Sequence, residues 1–171
     1  MKDRLNTDIS HTQETNFIEI SREESRLLEP FSHQEYWDSN SHIYTSLLLN
    51  TLTNEKLITK FIFEILGGEQ HEVYECISKE KANILLRQMA MFEVRANKKR
   101  QLFNVSEAKL ATNLLLNFIG PKAEFFTNAQ SIEQPHDNPG KVMSNDSEST
   151  YRSICFFAMN ENYIVFVNQY W

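Results

Sequence analysis

The side chains able to do chemistry are few, and their spacing does not bring them together. The five histidines are His11, His33, His42, His71 and His136. No two of them have the H-x-x-x-H or H-x-H spacing that sets two imidazoles side by side, so the pattern offers no metal site. Cys76 and Cys155 are far apart, with no C-x-x-C. Cys155 sits inside the apolar run ICFFAM, where a thiol packs as a small hydrophobe rather than acting as a nucleophile beside a distant histidine. Four glycines in the whole chain leave no phosphate-cradling loop, and G-x-S-x-G is missing. Carboxylates do occur in pairs, Glu23 with Glu24 and Glu72 with Glu75, but acids at such spacing usually form a solvated face. These residues point away from an enzyme and call for no cofactor.

What remains is charge, and its distribution says more than its sum. The 171 residues carry a net charge of −6, from 17 basic and 23 acidic side chains. From Glu64 to Glu75 the acids Glu64, Glu69, Glu72 and Glu75 stand with no Lys or Arg among them. From Lys79 to Lys109 the balance reverses, through Lys79, Lys81, Arg87, Arg95, Lys98, Lys99, Arg100 and Lys109 against three acids. An acidic molecule disfavours nucleic acid as a partner over its whole surface but permits a local contact.

These segments must be positioned by a fold, and the length suits one domain with a sizeable core. Apolar residues at 41% and charged residues at 23% are those of an ordinary globular chain. No run reaches the roughly 18 apolar residues of a membrane helix, and MKDRLNTDIS has no apolar stretch that could serve as a signal. The expectation is a cytoplasmic protein with reduced thiols and no membrane partner. Residues 1–16 read as a flexible extension and 17–171 as one α+β domain.

Within it, FIEI reads as a short strand leading to a helical turn that Pro30 stops. PFSHQEYW carries a capping box, with Ser32 as the cap and Glu35 three residues on. It predicts a helix that turns Tyr36, Trp37, Ile43, Tyr44, Leu47 and Leu48 inward, with DSNS as a place where it could divide. Thr53 caps the next helix, whose stripe is Leu57, Ile58, Phe61, Ile62, Ile65 and Leu66, ended by Gly67 and Gly68. The rival is a hairpin of FIFEIL and EVYECI about Gly-Gly. HEVYECI fits either strand or helical turn. Ser78 caps a helix through KEKANILLRQMAMFEVRA that buries Ile84, Leu85, Met89 and Phe92, and NKKRQ is a polar connection. Ser106 caps a last helix that buries Leu110, Leu114, Leu115 and Phe118. EFFTN is extended, and residues 129–148 form a long loop.

The C-terminal stretch, YRSICFFAMNENYIVFVNQYW, reads as two strands about Asn160-Glu161-Asn162, with Asn supplying a left-handed turn. Both faces of each strand are apolar, so other strands must flank the hairpin and helices or a partner must cover it. The fold class is therefore α+β, a layer of about four helices with a small antiparallel sheet built on this hairpin. NQYW breaks the apolar run before two large aromatics, so Tyr170 and Trp171 either pack inward or anchor another protein.

Two functional readings follow. In the first, the acidic stretch EILGGEQHEVYE complements a basic protein, and the partner-binding set is Glu64, Glu69, Glu72, Glu75, Tyr170 and Trp171. FSHQEYWDSNSHIYTSLLLN as an aromatic-rich helix and ICFFAMNENYIVFVNQYW as a terminal hairpin resemble the bacterial immunity proteins of contact-dependent growth inhibition and related polymorphic toxin systems. That resemblance implies a non-enzymatic inhibitor that binds one cognate toxin domain, often a nuclease, over its active site. The second reading is a nucleic-acid-binding or regulatory module that uses the basic segment 79–109 in a helix-turn-helix-like arrangement.

Overall fold

The computed structural model describes residues 16–21, 23, 26–31, 39–68, 73–95, 98–101, 103–131, 143–144 and 153–170. In chain order these hold β1 (Phe17–Glu19), a 3-10 helix (Arg26–Phe31), β2 (Ser39–Ser46), α1 (Asn54–Ile65), β3 (Glu75–Ile77), α2 (Lys79–Met91) and β4 (Phe92–Arg95). They continue with β5 (Lys98–Gln101), α3 (Val105–Ile119), β6 (Glu124–Thr127), β7 (Ala129–Ser131), β8 (Met143–Ser144), β9 (Ser153–Met159) and β10 (Ile164–Tyr170). Six strands form one antiparallel sheet in the order β1-β2-β10-β9-β6-β3. The class is α+β, and the C-terminal hairpin lies at the centre of the sheet. Among the described residues no helix is long and apolar enough to cross a membrane.

The alternation within β9 and β10 explains why both of their faces are apolar. Ile154, Phe156, Ala158, Val165 and Val167 point to a core shared with α2, α3 and the 3-10 helix. Cys155, Phe157, Met159, Ile164 and Phe166 point to a second core under α1. Helices thus cover the sheet on both sides. The second core centres on Phe61, fully buried, whose ring meets Phe17, Tyr44, Phe157 and Phe166 at centroid distances of 5.1–5.6 Å. The contacts with Phe17, Tyr44 and Phe157 are edge-on and the one with Phe166 is tilted; aromatic pairs of this kind add about 0.5–1.5 kcal/mol each beyond the area they bury.

Several elements follow their sequence signals. FIEI, EFFTN and ECI are strands, and Leu57, Ile58, Phe61 and Ile62 are the buried stripe of α1. Gly67, at φ 65°, follows that helix. Ser78 caps α2, its Oγ accepting from the Lys81 amide at 3.3 Å.

Other signals were overridden. Ser39–Ser46 is a strand and not part of a helix begun at Ser32. Ile43 goes to one core and its neighbour Tyr44 to the other, as only a strand allows, and pairing with both β1 and β10 outweighs the upstream cap. Leu47 is exposed and Leu48 half-buried, and Tyr36 and Trp37 lie outside the described residues. The 3-10 helix runs through Pro30 to Phe31. α2 ends at Met91, because Phe92–Arg95 pairs with Lys98–Gln101 and turns the supposed polar connection NKKRQ into a hairpin arm. Asn104, not Ser106, caps α3, in a complete capping box with Glu107. The buried side of α3 is Ala108, Ala111, Thr112, Leu115, Leu116 and Ile119, which leaves Leu110 and Leu114 outside and Phe118 half-buried. Within 129–148, β7 pairs with β8.

The β9–β10 turn also differs in mechanism. The only described non-glycine residue with positive φ is Asn50, at 68°, so the turn does not use a left-handed Asn. Instead Asn160 Oδ1 accepts from the amides of Asn162 and Tyr163, both at 2.7 Å, and Asn160 Nδ2 donates to the Ile119 carbonyl. At the other end of the hairpin, Asn168 and Gln169 are buried with partners. The Cys155 thiol donates to Asn168 Oδ1 at 3.4 Å, and Gln169 Nε2 donates to the Met89 carbonyl at 2.6 Å. These polar residues break the apolar run because Asn168 bonds across to β9 and Gln169 ties the sheet to α2.

Candidate partner-binding surface

Of the acidic set, Glu64 is already satisfied. It lies on α1 with its side chain 12% exposed, and its carboxylate accepts from Lys60 Nζ at 2.6 Å. It also accepts from the Asn16 amide at 2.9 Å and from Asn16 Nδ2 at 2.8 Å. Desolvation pushes the Glu64 carboxyl upward, but the hydrogen bonds from Lys60 and Asn16, with the Lys60 charge, outweigh it and hold the group below the usual carboxylate range. Residues 1–15 of the expected extension lie outside the described residues. Asn16 itself is docked, its carbonyl also accepting from Ser46 Oγ at 2.8 Å.

Glu75 is exposed on β3, at the sheet edge opposite the β1 edge where Glu64 meets Asn16. Five strand spacings separate these edges, about 24 Å. The structure therefore does not bring Glu64 and Glu75 together, and Glu69 and Glu72 lie outside the described residues. Tyr170 ends β10, paired with Ser153. Its side chain and Trp171 are not among the described parts.

The same stretch carries a signal that sequence reasoning missed. Phe63 is 60% exposed and Val73 is 68% exposed, with Leu66 partly exposed between them. Phe63 is the one large apolar side chain of α1 that falls off the buried stripe, and that departure was readable. Cys76 is exposed beside Glu75, whereas Cys155 is buried. Cys76 pairs with Phe126, whose ring belongs to the core under α1, so the thiol faces the α1 side of the sheet.

The opposite side has a different character. The basic segment runs through α2, the β4–β5 hairpin and α3 in succession, with α2 packed on α3. Leu110 is 62% and Leu114 50% exposed on its outer face. A cleft of about 580 Å³ lies at the β9–β10 end, lined by Leu52, Asn54, Phe118, Lys122, Glu124 and Tyr163 among others. Asn54 donates to Glu124 there, and Phe118 stacks on Tyr163 at 5.0 Å.

As for titratable clusters, His42 Nδ1 meets Glu19 Oε1 at 2.7 Å across β1 and β2, in an exposed pair. The other four histidines lie outside the described residues. Among the described residues no group of three His, Cys, Asp or Glu could hold a metal ion. No family model, curated protein or solved structure matches the chain.

Proposed function

We propose that this chain is a non-enzymatic, protein-binding inhibitor of the immunity type, acting in the cytoplasm. It captures one basic toxin domain and covers that domain's active site. The observation that carries the reading is the exposure of Phe63, Leu66 and Val73 within the acid-rich segment 63–76. Exposed large apolar side chains framed by charge are the usual makings of a docking surface. The net charge of −6 and the exposed Glu75 favour encounter with a basic surface. Glu64 serves the fold, so the working contact set is Phe63 and Leu66, near the β1 edge, with Val73 and Glu75 at the β3 edge. Glu75 alternates with Cys76 and faces the other side of the sheet, so a partner touching all four must span the sheet. Glu69, Glu72, Tyr170 and Trp171 are further members of the proposed interface.

The test is affinity capture from the native source, with the bait tagged at its N-terminus to leave Trp171 free. One basic protein recovered in equal amount is the expected result. The complex should shield Cys76 from alkylation, and the double substitution Phe63→Ser with Val73→Ser should lower recovery at an unchanged melting temperature. Cys155 should react only after denaturation. Recovery unaffected by that double substitution, or no protein recovered, defeats the reading.

A further inference from the structure

We infer that the cleft beside the β9–β10 turn is a binding site for a guanidinium group, carried by free arginine or by an arginine side chain. None of Phe63, Leu66, Val73 and Glu75 lines it, so it is separate from the proposed toxin surface and stands whether or not that reading does. Its volume, about 580 Å³, is that of a small-molecule site. The start of α1, the end of α3 and the Asn160-Glu161-Asn162 turn form its walls.

The lining is biased toward acceptors because its amide donors are already engaged. Asn50 Nδ2 donates to the Glu161 carbonyl at 3.2 Å, and Asn54 Nδ2 donates to Glu124 Oε2. The side-chain oxygens of Asn50 and Asn54 are left without a partner among the described residues. Asn160 is used at both ends, by the Ile119 carbonyl and by the amides of Asn162 and Tyr163. The exposed Glu161 carboxylate has no partner among the described residues, and Glu124 keeps a second oxygen. With Lys122 as the lone cation of the lining, two carboxylates leave the cleft negative.

A guanidinium is the converse of such a lining, since it carries five N–H donors, a permanent positive charge and no acceptor. A phosphate or carboxylate ligand would bring acceptors to acceptors and negative charge to negative charge. Phe118 and Tyr163, stacked at 5.0 Å, add an aromatic wall, which suits a planar cation better than a lysine ammonium. Lys122 opposes the ligand's charge, but it is exposed, and its flexible stem lets the ammonium stay in water.

The test is a titration of the isotope-labelled full chain followed by amide NMR. The probes are arginine, the capped peptide acetyl-Gly-Arg-Gly-amide, lysine, citrulline as the uncharged near-isostere of arginine, and inorganic phosphate. Arginine or the capped peptide should move the side-chain amide signals of Asn50 and Asn54 saturably, with a midpoint of about 1 mM. A response to the peptide alone makes a protein side chain the source and a response to arginine alone makes it a small molecule; either carries the proposal. Citrulline and phosphate should leave these signals in place, and lysine should bind more weakly. Glu161→Gln should weaken arginine binding about fivefold and Lys122→Glu should tighten it by a similar factor. Both side chains are exposed, so the melting temperature should hold in each variant. The proposal is overturned if neither arginine probe gives a saturable shift, or if lysine or citrulline binds as tightly as arginine. Saturable binding of phosphate, or weaker arginine binding in Lys122→Glu, overturns it as well.

Discussion

At the scale of single residues, Glu64 shows how a side chain that looks like part of a binding face becomes structural. Its acidity in sequence gives no hint of Asn16, forty-eight positions away, whose backbone and side chain both donate to it. Because its folded pKa lies below the unfolded value, the stability it adds is present above the unfolded pKa of about 4.3 and is lost as pH falls through the folded one. Glu64→Gln should therefore cost about 1 kcal/mol at pH 7, and less as pH drops below about 4. Urea denaturation at the two pH values measures this. A constant difference would mean that the charge is not what matters. Tyr44 moves the other way: burial, reinforced by the Glu19 carboxylate, pushes its phenol up to about 12, so it stays protonated throughout.

At the scale of elements, legibility followed how many constraints agreed. α1 was readable because most of its stripe and the glycines after it agree; Thr53 takes the N-cap position but its side chain makes no capping hydrogen bond, and Leu66 of the expected stripe is exposed. α3 was readable as a helix but not in its orientation. It holds more leucines than one face accepts, and the inward side is set by Ala108, Ala111 and Thr112, together with Ala82 and Ala90 of α2. Small residues allow two helices to approach closely, and Leu110 and Leu114 are then left outside. β2 was misread because a sound cap signature at Ser32 precedes a segment whose fate is decided by pairing with β1 before it and with β10 more than a hundred residues later. The acidic stretch was legible as charge but not as geometry, since its path from one sheet edge to the other is a matter of topology. The cap on α3 can be tested directly. Asn104→Ala should cost about 1 kcal/mol and Ser106→Ala much less, measured by thermal or urea unfolding. The reverse order would return the cap to Ser106.

At the scale of the whole molecule, the two-sided burial of the hairpin makes both of its faces indispensable. Phe156 and Phe157 are adjacent, fully buried, and belong to different cores. Phe156→Ala and Phe157→Ala should each cost about 3–5 kcal/mol in urea denaturation. A near-neutral result at either would mean that its face is not covered as described. The central place of this hairpin also dictates an order of events during synthesis. Residues 153–170 leave the ribosome after every other strand of the sheet, yet β2 and β6 meet the sheet only through them. Until they emerge, the nascent chain holds two unfinished half-sheets, with the aromatic side chains of Phe17, Tyr44 and Phe61 short of partners, and it must rely on chaperones or on speed. The cell therefore receives this protein almost at once, when its last strands close the centre, rather than by gradual growth from its first residues.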